Sequence, residues 1–555
     1  MSRRRVWLGA GLAALVLAVI GIGAAVLTRA SGGQPTVSLG APRLVDETAA
    51  AGIDHTYGGD FDFATGGGVA VFDCNADGLP DLNLAGGANP ATLYRNESEI
   101  GGALRFGVIH DPATDLVSVT GAYPIDVDGD GIVDIAVLRN GQNVLLRGLG
   151  GCRFERANER WRFDGGKEST MAFSATWEGS ASLPTLAIGN YVDPASQDIA
   201  HRCQDNELVR PDATGGGYAA AIPLTPSWCA LSMLFSDWDR SGRRDLRVSN
   251  DRHYYDDSLG EEQLWRVAPG EPPRLYTDAD GWVQVQVEGM GIASHDVTGD
   301  GYPDVYLTSQ AANRLQTLTA GPSQPTYRDI GLKRGVNATR PFTGGDPLPS
   351  TAWHPEFEDV NNDGFIDLFV SKGNVDAIPD YAQKDPSNLL LGQPDGTFVE
   401  GADRAGIVSF ARGRGAALAD FNLDGLLDLV EVFYNDPVKA WRNVGTGDAN
   451  SPKAMGHWLG IRLTQAGPNT DAIGAWLETK VGALTLQDEV TVGGGHVSGQ
   501  LGWIHVGIGP ATEAQVRVRW PDGQVGPWLT VKADSFEVLD RARNQATTWQ
   551  PPAGT

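Results

Sequence analysis

The chain has 555 residues, 41% of them hydrophobic, which is too much for one ordinary core and enough for several, or for one large repetitive one. Gly at 72 and Pro at 32 point to many turns in place of long helices, and 8% aromatic with 20% charged residues argues against disorder. A formal charge of −26 argues against nucleic acid and anionic membrane surfaces as partners and favours cations.

The N-terminus, "MSRRRVWLGAGLAALVLAVIGIGAAVLTRA", is free of charge from Val6 to Leu27, long enough to cross a bilayer, with Arg3, Arg4 and Arg5 held on the cytoplasmic side. A cleavable signal peptide is the rival reading, for which Thr28-Arg29-Ala30 is a poor cleavage site. We read residues 1–30 as a signal anchor and 31–41 as a linker, so that either way the remainder is exported. Without Arg3, Arg4, Arg5 and Arg29 the exported part holds 39 basic and 69 acidic residues, a net −30. In an oxidising compartment Cys74, Cys152, Cys203 and Cys229 fit two disulfides, with three connectivities open. Cys203 with Cys229 would close a loop rich in Gly and Pro, leaving Cys74 with Cys152, and buried free thiols are the alternative.

An acidic nine-residue frame then recurs: "DCNADGLPD" (73–81), "DVDGDGIVD" (126–134), "DWDRSGRRD" (237–245), "DVTGDGYPD" (296–304), "DVNNDGFID" (359–367) and "DFNLDGLLD" (420–428). The starts are about sixty residues apart except for one double gap, in which "TWEGSASLPTLAIGN" (176–190) reads as a seventh copy that has lost its acids. Each frame leads into a β-rich run such as "IAVLR" or "LFVSK", and further short strands follow, so each period holds roughly four strands, as a β-propeller blade does. "PRLVDETAAAGI" (42–53) aligns with "GTFVEGADRAGI" (396–407) yet precedes the first repeat, and the last repeat lacks that element. The N-terminal strand is therefore expected to complete the seventh blade and leave no open edge. The predicted fold is all-β: a seven-bladed propeller over 42–445, a linker at 446–455, a small β domain at 456–541 and a tail at 542–555.

Positions 1, 3, 5 and 9 of the frame offer side-chain oxygens, position 7 a carbonyl, and Gly at 6 the sharp turn, an oxygen cage for a hard cation the size of calcium. The candidate ligands are Asp73, Asn75, Asp77, Leu79 and Asp81; Asp126, Asp128, Asp130, Ile132 and Asp134; and Asp296, Thr298, Asp300, Tyr302 and Asp304. They continue with Asp359, Asn361, Asp363, Phe365 and Asp367, then Asp420, Asn422, Asp424, Leu426 and Asp428. The frame at 237 offers Asp237, Asp239, Ser241 and Asp245 but is crowded by Arg240, Arg243 and Arg244, so a guanidinium could stand in for the ion. Five to six calcium sites are expected, with "DVDGDGIVD", the most acidic, holding its ion longest. Zinc or copper would want His or Cys ligands, and no frame contains a His. An EF-hand would need an acid at position 12, where Leu84, Val137, Val248, Leu307 and Val370 stand and only Glu431 is acidic.

These frames at this period resemble the FG-GAP repeats of integrin α-chain propellers and bacterial VCBS-type repeats. That resemblance implies seven blades with calcium in outer-rim loops. Beyond the linker, "DAIGAW", "GGGHVSGQ", "HVGIG" and "VRVRWPDG" resemble the ASPIC/UnbV domain that follows such propellers in the cartilage acidic protein family. Here Gly499 is inserted before Gln500, and "HVGIG" stands where the family tends to "HFGLG".

A triad of Asp488, His496 and Ser498 lacks a nucleophile-elbow frame, so no catalytic residue is assigned. His201 and His253 lack metal spacing, and "RHYYDD" (252–257) is a candidate ligand-contact loop. The fifteen Trp fit blade cores better than sugar stacking. The sequence thus reads as an exported, membrane-anchored, calcium-binding monomer acting as a binding or adhesion module for a protein or glycan ligand. The alternative is an enzyme, or an accessory protein of a biosynthetic pathway, with a site in the propeller channel.

Overall fold

The computed structural model describes residues 34–193, 195–196, 202–251 and 260–551. The anchor segment, His201, His253 and the "RHYYDD" loop lie outside the described residues. Among those described, no helix is long and apolar enough to cross a membrane.

Seven antiparallel sheets follow one another along the chain. Blade 1 runs Val69–Phe72, Asp81–Leu84, Thr92–Asn96 and Phe106–Ile109, and blade 2 runs Val119–Ile125, Asp134–Arg139, Val144–Gly148 and Phe154–Arg156. Blades 3 to 6 begin with Thr170–Thr176, Ala230–Ser236, Gly289–His295 and Ala352–Glu358, each the first of four strands. Blade 7 comprises Gly413–Ala419, Asp428–Phe433 and Asp436–Asn443, with Leu44–Asp46 from the N-terminus as its outermost strand. Leu44 pairs with Asn443 and Asp46 with Trp441, so the ring is closed by its two ends. A buried ion pair holds the closure: Arg442 Nε lies 2.9 Å from Glu47 Oε1, and Glu47 Oε2 accepts from Leu104 N at 2.9 Å. Breaking such a pair on one side strands a buried charge, so loss of either partner is costly.

The first strands are completely buried in most blades, and each packs beside the first strands of its two neighbours around the ring. Alternate side chains fill the spaces between blades, as Tyr123, Phe173 and Leu186 do between blades 2 and 3. The lost seventh frame is visible in the register. Thr176 faces Thr185 as Ile125 faces Asp134, which puts Trp177, Gly179, Ala181 and Thr185 at positions 1, 3, 5 and 9. Glu178 there is fork-paired to Arg210 at 2.7 and 3.0 Å and needs no ion. The disulfides are Cys74–Cys152, between blades 1 and 2, and Cys203–Cys229, between blades 3 and 4.

The C-terminal part is a two-sheet unit. One sheet has the order Ile504–Gly509, His457–Thr464, Ser535–Asp540, Gln545–Thr548, and the other Leu484–Glu489, Trp476–Val481, Glu513–Arg519, Leu529–Lys532. Leu459, Ile461, Leu477, Val516 and Trp520 fill the space between them. Gln545–Thr548 lies in the stretch expected to be a tail; backbone pairing to Ser535–Asp540 and Trp549 against Gly78 hold it in place. The expected linker is likewise engaged, Leu39 N donating to Asp363 Oδ2 at 2.8 Å.

Residues 490–501 leave this unit and thread the propeller axis. Val492 bridges to Ala175, Gly493 to Leu234, Gly495 to Ile292 and Ser498 to Ala122, and Gly499 and Gln500 pair in parallel with Ala70 and Val71. His496 N donates to His354 Nδ1 at 3.0 Å, and a Cβ on Gly415 would meet Ser498 Oγ at 2.4 Å. The plug therefore touches the first strands of all seven blades. The channel, where the alternative sequence reading placed a site, holds the chain's own backbone.

A Cβ on Gly68 would lie 1.8 Å from Val497 O, whereas on Gly216 it would meet nothing nearer than 3.8 Å. Gly68→Ala is expected to cost about 3 kcal/mol in urea denaturation, while Gly216→Ala stays within about 0.5 kcal/mol of the native chain.

Candidate functional site: the acidic loops beneath the C-terminal unit

Each acidic frame joins the first strand of a blade to the second, with position 9 opening the second strand. All six position-6 glycines hold φ between +81° and +89°, the left-handed turn that brings their N–H back onto the position-1 carboxylate. That hydrogen bond is 2.8 Å at Asp73, 2.9 Å at Asp126, 2.8 Å at Asp296, 2.7 Å at Asp359 and 2.7 Å at Asp420. Position 5 accepts from position 7, as in Leu79 N to Asp77 and Phe365 N to Asp363, both 2.9 Å. Position 9 ties the loop to the third strand: Asp81, Asp134, Asp367 and Asp428 accept from Asn96, Gly148, Gly392 and Asn443 at 2.7 to 2.8 Å.

The oxygens remain crowded. Asp126, Asp128 and Asp130 each bring a carboxylate oxygen within 4.8 Å of the others, and Asp128 Oδ1 is buried without a hydrogen-bond partner. That set fits a hard divalent cation. Burial, reinforced by Asp128 and Asp126, pushes Asp134 up to about 8, and burial likewise carries Asp304 and Asp424 to about 6. Burial and the neighbouring acids raise Asp359, Asp367, Asp420 and Asp428 well above the usual carboxylate range. Such clusters gain free energy from any positive charge set among them. Arg147 supplies part of it at the most acidic frame, its Nε 2.7 Å from Asp128 and its Nη2 2.5 Å from Asp130.

The frame at 237 does not fit an ion. Arg243 Nε lies 2.9 Å from Asp245 Oδ1 and its Nη2 3.4 Å from Asp239 Oδ2. Asp245 Oδ2 also accepts from Trp238 Nε1 at 2.9 Å and Tyr276 OH at 2.8 Å. Glu431, the acid at position 12 of the last frame, points away from its cage into the space between blades 6 and 7. Its Oε1 accepts from Ser371 at 2.7 Å and Ser387 at 2.6 Å.

The loops are not on the outer rim, as the resemblance implied; they open from the innermost strands and carry the C-terminal unit. Trp503 Nε1 donates to Gly78 O at 3.1 Å, and Thr470 Oγ1 to Asp126 Oδ2 at 2.6 Å. Glu489 accepts from Asp237 N at 2.8 Å, and Gln487 Nε2 reaches Asp296 Oδ2 at 3.3 Å. His505 Nε2 lies 2.6 Å from Asn362 Oδ1, and Trp458 packs so closely on Gly425 that a Cβ there would come within 1.8 Å of its Nε1. All six frames are thus in contact with it. The sequence reading missed Thr470, Trp458 and Trp503, although Asp471 lies within the quoted "DAIGAW". His496 and Ser498 lie in the plug, where Ser498 Oγ accepts from Val69 N at 3.1 Å. Both His496 ring nitrogens face carbonyls, Thr65 O at 2.7 Å and Leu231 O at 3.2 Å, and burial pushes its pKa down to about 3. Asp488 faces His295 instead, at 3.5 Å, and the triad does not form.

Residues 73–137 and 359–431 match the FG-GAP-like repeat family, and residues 465–546 match the family described as ASPIC and UnbV. The chain therefore carries FG-GAP-like repeats and an ASPIC/UnbV domain. It is 38% identical over 232 residues to cartilage acidic protein 1 of Xenopus tropicalis, covering 39% of this chain and 33% of that protein. The human protein of that name is 28% identical over 168 residues, covering 28% and 22%, and the Mus musculus protein 29% over 174, covering 30% and 25%. The chain thus matches a third or less of the length of each of these relatives.

Burial lifts Glu431 from 4.5 to about 7. The folded chain keeps a proton that the unfolded chain releases between about pH 4.5 and 7, so this group's contribution is complete below pH 4.5 and falls as pH rises through 7. In chelator, melting temperature is expected to decline across that window, and Glu431→Gln to flatten the decline in thermal melts at stepped pH.

Proposed function

We propose that this protein is an exported binding or adhesion module whose calcium is structural. The observation that carries the reading is the filled axis: residues 490–501 occupy the channel, which leaves the outer edges and the face opposite the C-terminal unit as the surfaces for a protein or glycan ligand. FG-GAP-like repeats and likeness to proteins named cartilage acidic protein 1 support an extracellular binding role. The charge-free N-terminal run supports export with a membrane anchor.

Calcium would sit in the frames at 73, 126, 296, 359 and 420, held by their position-1, -3 and -5 oxygens, while Arg243 takes its place at 237. Each ion would offset local repulsion and fix a loop on which the C-terminal unit rests. A glycan and protein-ligand array tests the binding reading. Hits lost on changing side chains of the face opposite the C-terminal unit support it, and an absence of hits together with metabolite turnover contradicts it.

Ligand that binds only the native state must raise its melting temperature. With extracellular-type affinity of roughly 10⁻⁴ to 10⁻³ M, millimolar calcium is expected to raise the midpoint over that in chelator. An unchanged midpoint would refute structural calcium.

A further inference from the structure

Between the loop face and the C-terminal unit lies a cavity of about 310 Å³. Its walls include Phe357, Trp503 and Phe536, with the carboxylates of Glu358 and Asp488 beside His295. The other acids on its surface already have roles. Asp73, Asp359 and Asp420 belong to the cages, and Glu489 accepts from Ser236 Oγ at 2.6 Å and Asp237 N at 2.8 Å. Asp471 has the Thr470 hydroxyl at 3.3 Å.

Glu358 and Asp488 are different. Asp488 Oδ2 is buried with no hydrogen-bond partner, and its Oδ1 meets only the His295 imidazole, at 3.5 Å. The charged groups around the Glu358 carboxylate are Glu356, Asp488 and Asp359, all acids. Arg462, the one strong base in the wall, lies with its guanidinium 4.5 Å over the Trp503 ring and 3.9 Å from Asp73, and is paired with neither Glu358 nor Asp488. Two carboxylates thus line one cavity with no cation of the chain paired to either, an arrangement relieved by uptake of a proton or by entry of a positive group.

A metal ion does not suit them. A hard divalent ion takes about six to eight oxygen ligands, more than the two unengaged carboxylates of this cavity supply. Separated carboxylates and aromatic walls suit an organic cation, whose charge the acids neutralise while the rings cover its apolar part and attract the ammonium. The volume sits at the lower end of the range for small-ligand sites.

We propose that this cavity binds a small organic amine, with its ammonium group between Glu358 and Asp488 and its apolar part against Phe357, Trp503 and Phe536. The site borders the cages through Asp73, Asp359 and Asp420 but uses other carboxylates, and it is separate from whatever the outer surfaces bind, so it stands or falls independently of the adhesion reading.

Isothermal titration of the full chain in saturating calcium, with 2-phenylethylamine and its neutral match 2-phenylethanol, tests it. The amine should bind one per chain and the alcohol roughly tenfold more weakly or not at all, since a charged hydrogen bond is worth that much. Asp488→Asn and Glu358→Gln should each weaken the amine roughly tenfold and leave the alcohol unchanged. The comparison of amine with alcohol on the native chain needs no variant and stands even if one fails to fold. Equal binding of both compounds, no binding of either, or amine binding indifferent to both substitutions in folded variants would overturn the proposal. Loss of amine binding as calcium is raised to saturation would assign the amine to the cages and also overturn it.

Discussion

The structure depends on how it manages carboxylate repulsion at one face. Six acidic frames project from the same side of the ring, and the C-terminal unit rests on all of them, so their crowded negative charge lies at an interface. Burial there penalises each ionised carboxyl, as the upward shift of Asp134 to about 8 records. Backbone N–H groups of the frame glycines relieve part of the penalty. Guanidinium groups relieve more at three places, Arg243 within its frame, Arg147 against Asp128 and Asp130, and Arg462 beside Asp73. In the remaining frames the proposed calcium would relieve the rest.

The plug follows from the same arrangement. Once the C-terminal unit is seated on the loops, its glycine-rich segment reaches the axis, and the propeller and the unit share a hydrogen-bonded backbone. Gly499 and Gln500 extend blade 1 as a parallel strand, while Gln500 bonds Glu356 of blade 6. The molecule is therefore better described as a ring closed twice: around its edge by Leu44–Asp46, and through its centre by residues 490–501.

Much of the ring was legible in the sequence because its repeats carry their own register. Position 9 opens the second strand in every acidic frame, so the period, the blade count and even the copy at 176–190 that lacks the cage acids could be read from spacing. The N-terminal latch was legible through the alignment of 42–53 with 396–407, and the disulfide partners through the loop between Cys203 and Cys229. The plug was not, because Gly493, Gly494 and Gly495 have no periodicity and their partners are backbone carbonyls hundreds of residues away. The position of the loops beneath the C-terminal unit was hidden for a related reason. A tryptophan such as Trp458 that packs on a glycine leaves no charge or spacing signal in either segment. The cavity acids Glu358 and Asp488 come from separate elements, and only the tertiary fold brings them together.

The central claim is that cations in the loops hold the C-terminal unit and its plug in place. Hydrogen exchange at residues 490–501, compared in calcium and in chelator, tests it most directly. The account predicts that chelation releases the amides of Gly493 to Gln500 together with those of the acidic frames, while third and fourth blade strands stay protected. Frames that lose protection while the plug keeps it in full would contradict it.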